Sequence, residues 1–171
     1  MRSSSKDKPG PKSSTAGACG GPTGLAFLLA QLGAHAAMRF GERLAAVGLA
    51  PPDAGVMRKI GNDPDITQQA LAQHLGVMPS RVVALIDRLE QKGLVERVGS
   101  PEDRRAYALR LTARGRQGLQ EVMRIAAEHE RDLCAALDEK ERQTLAALCG
   151  RIARHQGLTP GVHPGYRQLN P

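Results

Sequence analysis

At 171 residues, with 41% hydrophobic residues, only 2% aromatic and no Trp, the chain has room for one domain with tails, and its core must be built from Leu, Val, Ala, Ile and Met. That palette favours helices packed on helices and speaks against an all-β sandwich. The formal charge of +7 points to a polyanionic partner, most simply nucleic acid.

Cys19, Cys134 and Cys149 are far apart and form no Cys-x-x-Cys pair. That is neither a disulfide framework nor a zinc-ligand spacing, and with no signal peptide to read it fits a cytoplasmic, reducing compartment. No apolar run reaches ~18 residues, so no membrane-spanning helix is expected. The nearest candidate, "GLAFLLAQLGAHAAMRF", is interrupted by Gln31, His35 and Arg39.

Residues 1–22 are rich in Ser, Gly, Pro and Lys. They cannot bury enough surface to offset their ordering entropy and read as a disordered basic tail. Leu25, Leu28, Leu29, Leu32, Ala36, Phe40, Leu44 and Val47 then recur every three or four residues. This is one apolar face of a long helix, closed by Gly48. "PPDAGVMRKIG" opens on two prolines placed for a helix start. "DITQQALAQHLG" gives a short helix with Thr67 as N-cap, Ala70, Leu71 and Leu75 inside, and Gly76 as its end. "PSRVVALIDRLEQKG" gives the next, with Pro79 in its first turn, Gly93 as a stop, and Val82, Leu85, Ile86 and Leu89 inside.

After Gly93 the period changes to two. "LVERV" and "AYALRL" flank "GSPEDRR" as a β-hairpin with a loop of about seven residues. Helical periodicity returns at Thr112, with Leu119, Val122, Met123, Ala126, Leu133 and Leu137 on one face. Asp138 and Glu141 then form an Asp-x-x-Glu capping box ahead of Leu145, Leu148, Cys149 and Ile152. Residues 157–171 are Pro/Gly-rich and read as an irregular tail; whether Val162, Tyr166 and Leu169 dock it is left open by the sequence.

Two short helices joined by "GVM" and followed by a hairpin make a winged helix-turn-helix, in which the second helix enters a major groove and the first braces it. The outer face of the second helix carries Ser80, Arg81, Ala84, Asp87 and Arg88. An ordinary helical hairpin with a solvated polar face is the competing interpretation, and the following β-hairpin weighs against it. Arg104 and Arg105 at the hairpin tip can reach a minor groove, whose negative potential favours a guanidinium. Asp103 faces phosphate repulsion, so its sensible role is to pair with an arginine and shape the turn.

"PEDRRAYALRLTARG" resembles the wing signature of the MarR family of bacterial transcription regulators, with Asp103, Arg105, Leu111, Thr112 and Gly115 on the matching positions. "VVALIDRLEQKGLVER" is similar to the family's recognition helix and first wing strand. The resemblance runs from about Gly24 to His155. It implies a mainly α fold with a small β-hairpin wing: a winged helix-turn-helix lobe at about 51–111 and a helical dimerisation region from about 24–47 and 112–156, within one domain spanning 23–156.

The resemblance further implies a homodimer on double-stranded DNA at a pseudo-palindromic operator. Ser80, Arg81, Val83 and Ala84 would face the groove, Arg88 and Arg97 would contact phosphate, Arg105 would enter the minor groove and Asp103 would position it. Met78 and Pro79 stand where the family often has Ser or Thr, Arg81 replaces a commonly smaller residue, and Ala50 takes the place of a capping Ser or Thr.

Relatives often answer to a small phenolic or anionic ligand between the dimerisation helices and the winged lobe, where His35 and Arg39, one turn apart, are candidates. In the peroxide-sensing branch a cysteine lies early in the first helix; here Ala26 holds that position and Cys19 lies upstream. Cys134 and Cys149 read as buried and inert, with redox response as the alternative. No metal spacing, cofactor motif or catalytic constellation is present in the sequence, which speaks against an enzyme. The expectation is a ligand-released repressor. A winged-helix protein-interaction module is the competing class, disfavoured by arginines on both helix and wing.

Overall fold

The computed structural model describes residues 24–99, 107–163 and 166. The chain divides into two compact units, 1–35 and 36–171. Of the first, the described part is the start of helix α1 (Leu25–Ala45), where Leu25, Phe27, Leu28, Leu29 and Leu32 are all exposed. All later elements belong to the second unit: α2 (Pro51–Asn62), α3 (Gln68–Leu75), α4 (Pro79–Gln91), β1 (Val95–Gly99), β2 (Tyr107–Leu111), α5 (Ala113–Leu133) and α6 (Glu139–His155).

The starts of these helices follow from local chemistry. Pro51 and Pro52 open α2 with φ already set for a helix. Ala50 has no side-chain oxygen to cap with, and the matching contact runs the other way: its N–H donates to Asp53 Oδ2 at 3.2 Å. Thr67 caps α3 by accepting from the Ala70 N–H at 3.1 Å. Asp138 and Glu141 make the reciprocal capping box that the sequence pattern called for, at 2.9 and 2.8 Å.

The hairpin is antiparallel, with Val95 opposite Leu111, Arg97 opposite Leu109 and Gly99 opposite Tyr107. A third segment joins it. Thr67 bridges Ala108, the Asp65 N–H donates to Leu109 O, and the Leu109 N–H donates to Ile66 O at 3.0 Å. This residue triplet ahead of α3 is too short to show a period in sequence, yet it ties the wing to the helix-turn-helix. Arg110 adds a side-chain bond to Asp65.

Leu44, Val56, Met57, Ile60, Leu71, Val82, Ile86, Leu89 and Leu109 are at most 1% exposed and form one core. The wing meets α5 at a very close approach. The Thr112 N–H donates to Leu94 O at 3.1 Å, its hydroxyl donates to Gly93 O at 2.7 Å and accepts from the Gly115 N–H at 2.9 Å. A Cβ on Gly115 would stand 1.9 Å from Leu94 O, so only glycine fits there.

The far helices have spent less of their apolar surface. Among the described residues, α6 buries none, and Met123, Leu133, Leu145, Leu148 and Ile152 are between 41% and 53% exposed. Cys134 and Cys149, expected to be buried, are free thiols of intermediate exposure. Cys149 lies on α6, which buries no residue of its own, and Cys134 follows α5, whose Val122 and Ile125 lie in the core.

Candidate nucleic-acid interface

The exposed face of α4 holds Ser80, Val83 and Ala84, with Arg81 half-buried beside them. Val83 is 40% and Met78, just ahead of the helix, 67% exposed. The opposite face, Val82, Leu85, Ile86 and Leu89, is the inner face expected from the period and lies in the core. Helical spacing therefore sorts α4 into a face held by the lobe and a face offered outward.

Two sets of ion pairs fix the pose of that helix. At its C-terminal half, Arg88 Nε and Nη2 donate to Asp53 Oδ1 at 3.1 and 2.7 Å, and Lys92 Nζ donates to Asp53 Oδ2 at 3.0 Å. Lys92 also donates to Gly48 O at 2.8 Å. Asp53 is fully buried. Burial by itself would raise its pKa; the hydrogen bonds from Arg88, Lys92 and the Ala50 N–H, with the Arg88 charge, outweigh that and leave the carboxyl below its ordinary value. The second set joins helix to wing. Arg97 of β1 donates from Nη2 to Asp87 at 2.6 Å and from Nη1 to Glu90, while its backbone N–H donates to Glu90 Oε1 at 3.0 Å.

Arg88 and Arg97, which the sequence offered as phosphate contacts, thus have their guanidinium groups engaged by carboxylates of the lobe. The sequence pointed to neither partner set in full: Asp53 carries a cap signal in its third helical position, but nothing in the pattern reveals that it also receives two cations from thirty-five and thirty-nine residues away. Asp103, Arg104 and Arg105 lie outside the described residues; Gly99 and Tyr107 form the pair from which their loop departs. Cys19 also lies outside the described residues. His35 closes the first compact unit, whereas Arg39 lies in the second and pairs with Glu42 at 2.9 Å. Among the described residues no group of three or more His, Cys, Asp or Glu could hold a metal ion, and no helix is long and apolar enough to cross a membrane.

A bracing helix, a second helix with one face in the core and the other exposed, and a hairpin joined to it define a winged helix-turn-helix of the DNA-binding class. Residues 47–106 match the model of the MarR family. Over 113 residues the chain is 37% identical to a protein of Thauera aromatica named for transcriptional regulation of the hcr operon, covering 66% of this chain and 68% of that one. Its fold is similar to the crystal structure of MarR (TM-score 0.68, 27% identity, 77% of this chain and 90% of that one). It is also similar to the transcriptional repressor CouR bound to a 23-mer DNA duplex (TM-score 0.69, 32% identity, 75% and 92%). The chain belongs to the MarR family and is a DNA-binding transcription regulator.

Proposed function

We propose that the protein is a repressor that binds a pseudo-palindromic operator as a homodimer and leaves it when a small phenolic or anionic ligand binds. The observation that carries this reading is the division of α4: Ser80, Val83 and Ala84 face outward on a helix whose other face is locked in the core. In this reading Ser80, Arg81, Val83 and Ala84 meet base edges and thymine methyl groups in the major groove. Arg105 enters the neighbouring minor groove with Asp103 as its brace, and Arg104 adds a phosphate contact. Arg88 and Arg97 act one step back, fixing how α4 and the wing present these residues.

The apolar stripes of α5 and α6 support self-association. Met123, Leu145, Leu148 and Ile152 are exposed in one chain, and a two-fold partner would bury them and place two recognition helices one DNA turn apart. Release follows by population shift: a ligand that favours another lobe spacing weakens operator binding by its differential affinity for the two states. Mobility-shift titration with DNA from upstream of the protein's own gene, with light scattering of the complex, tests operator binding and self-association. A specific complex of two chains per duplex is expected; a monomer with no preference over random duplex would overturn the reading.

A further inference from the structure

Beyond α6 the chain returns to the winged lobe. Tyr166 is only 6% exposed and belongs to the core. Its hydroxyl donates to Pro52 O at 2.9 Å, and Arg58 Nη2 donates to Gly161 O at 2.6 Å. A Cβ on Gly55 would stand 1.9 Å from the Tyr166 Oη, so α2 carries a notch that admits the phenol only because residue 55 is glycine. Burial raises the Tyr166 pKa to about 12, which keeps the phenol a neutral donor. Gly161 and Tyr166, in a stretch read from sequence as irregular, are therefore seated on α2.

Together with α2 and α3, Pro160, Gly161 and Tyr166 line a half-open cavity of about 370 Å³, within the range of small-molecule sites. Arg58 and Lys59 of α2 give its lining two cations, His74 of α3 an imidazole and Asn62 an amide. Leu75 and Tyr166 contribute apolar surface. Lys59 shares its charge with Asp63 at 3.2 Å. Arg58 is engaged by a neutral carbonyl, and among the described residues no carboxylate pairs with it.

His74 registers the imbalance: burial lowers its pKa, the charges of Lys59 and Arg58 lower it further, and Asp63 opposes them. Nor are these cations needed to close the helix ends. The Asp63 N–H already bonds Lys59 O, and the Gly76 N–H bonds Ala72 and Gln73 O.

We infer that this cavity is a binding site for a short organic carboxylate, with the head group on Arg58 and Lys59 beside His74 and the apolar body along Leu75 and Tyr166. A monoanion fits because Lys59 is already partly neutralised, leaving about one uncompensated cation; a compact dianion would find too little charge and no use for the apolar wall. The site stands on its own geometry and not on the ligand-release reading above.

The test uses the full-length protein without DNA, so its outcome does not depend on operator binding. Hexanoate and its neutral counterpart hexanamide are titrated while the His74 Cε1 proton, assigned with His74→Gln, is followed by NMR. An anion beside the imidazole favours its charged form, so saturating hexanoate should raise the His74 pKa by about half a unit or more, and hexanamide should not. Arg58→Gln should weaken hexanoate about ten-fold. Lys59→Gln, which leaves the Arg58–Gly161 contact in place, should weaken it several-fold and covers the case in which the Arg58 variant loosens the tail. An unchanged His74 titration, an equal response to hexanamide, or undiminished binding in both variants would overturn the site. Inorganic phosphate binding as tightly as hexanoate would overturn the assignment to an organic carboxylate.

Discussion

Arg88 of α4 places both Nε and Nη2 on one oxygen of the buried Asp53 carboxylate, at 3.1 and 2.7 Å. The carboxylate belongs to α2 and its other oxygen takes Lys92 and the Ala50 N–H. One acid thus caps one helix and anchors another. Replacing it by Asn removes the charge but leaves a carbonyl oxygen to cap with. Breaking a fully buried pair costs about 3–5 kcal/mol; here Arg88 and Lys92 are 44% and 33% exposed and can regain water, so Asp53→Asn should cost about 1–3 kcal/mol. Urea unfolding at fixed protein concentration measures it, and a loss within error of zero would remove Asp53 from the anchoring of α4.

The same carboxyl fixes a pH dependence. Its native pKa lies below its ordinary value, so the unfolded chain binds the proton more readily. The stabilisation is complete above the unfolded value of about 4 and is lost as pH falls through the lower native value. The stability gap between the native sequence and Asp53→Asn should therefore be constant from pH 7 to about 5 and narrow below about 4. A gap that widened on acidification would reverse the sign and contradict the pairing.

Arg105 and Arg97 should separate in a salt titration. A guanidinium that enters the DNA groove displaces condensed counterions, so Arg105→Ala should weaken binding and reduce the slope of log K against log salt by about 1. Arg97 is committed to Asp87 and Glu90. Arg97→Ala should loosen the wing from α4, lowering affinity and stability with little change of slope. Fluorescence anisotropy at four or more salt concentrations reads both; equal slope changes for the two variants would cancel the distinction.

Gly115 tests the join between wing and α5. Its missing Cβ leaves room for Leu94 O, which would otherwise lie 1.9 Å away. The obstacle is backbone, and the Thr112 N–H is bonded to that same oxygen, so neither side can retreat cheaply. Gly115→Ala gains about 0.5–1 kcal/mol of helix propensity. The clash should exceed it, for a net loss of about 2 kcal/mol or more. Thermal unfolding decides the sign, and a stabilised variant would show that the two backbones can part.

Periodicity and caps made the helices legible: Val82, Leu85, Ile86 and Leu89 repeat at helical spacing and are buried, and Thr67, Thr112 and Asp138 cap where their side chains allow. What escaped is long-range. The Asp65–Thr67 edge is too short to show alternation, and its partner strand lies some forty residues on. Asp53 meets Arg88 only because α2 and α4 cross, and crossing is a property of packing. Tyr166 was named as a possible dock, but its seat depends on a side chain missing from Gly55, a complementarity that neither segment displays alone.

The stripes of α5 and α6 were equally legible; one chain buries Val122 and Ile125 of α5 but leaves the α6 stripe uncovered. Leu145 and Leu148 are each 44% exposed, and Ile152 41%. Burying such side chains contributes about 25 cal/mol per Å², and placing a charge among them reverses the gain. Leu148→Asp should therefore dissociate the proposed dimer while leaving the winged lobe folded, because α6 contributes no buried residue to the single-chain core. Light scattering should report the monomer mass, and operator affinity should fall at least a hundred-fold, since one half-site contact set replaces two linked ones. A dimer that survived this substitution at micromolar concentration would place the self-association surface elsewhere.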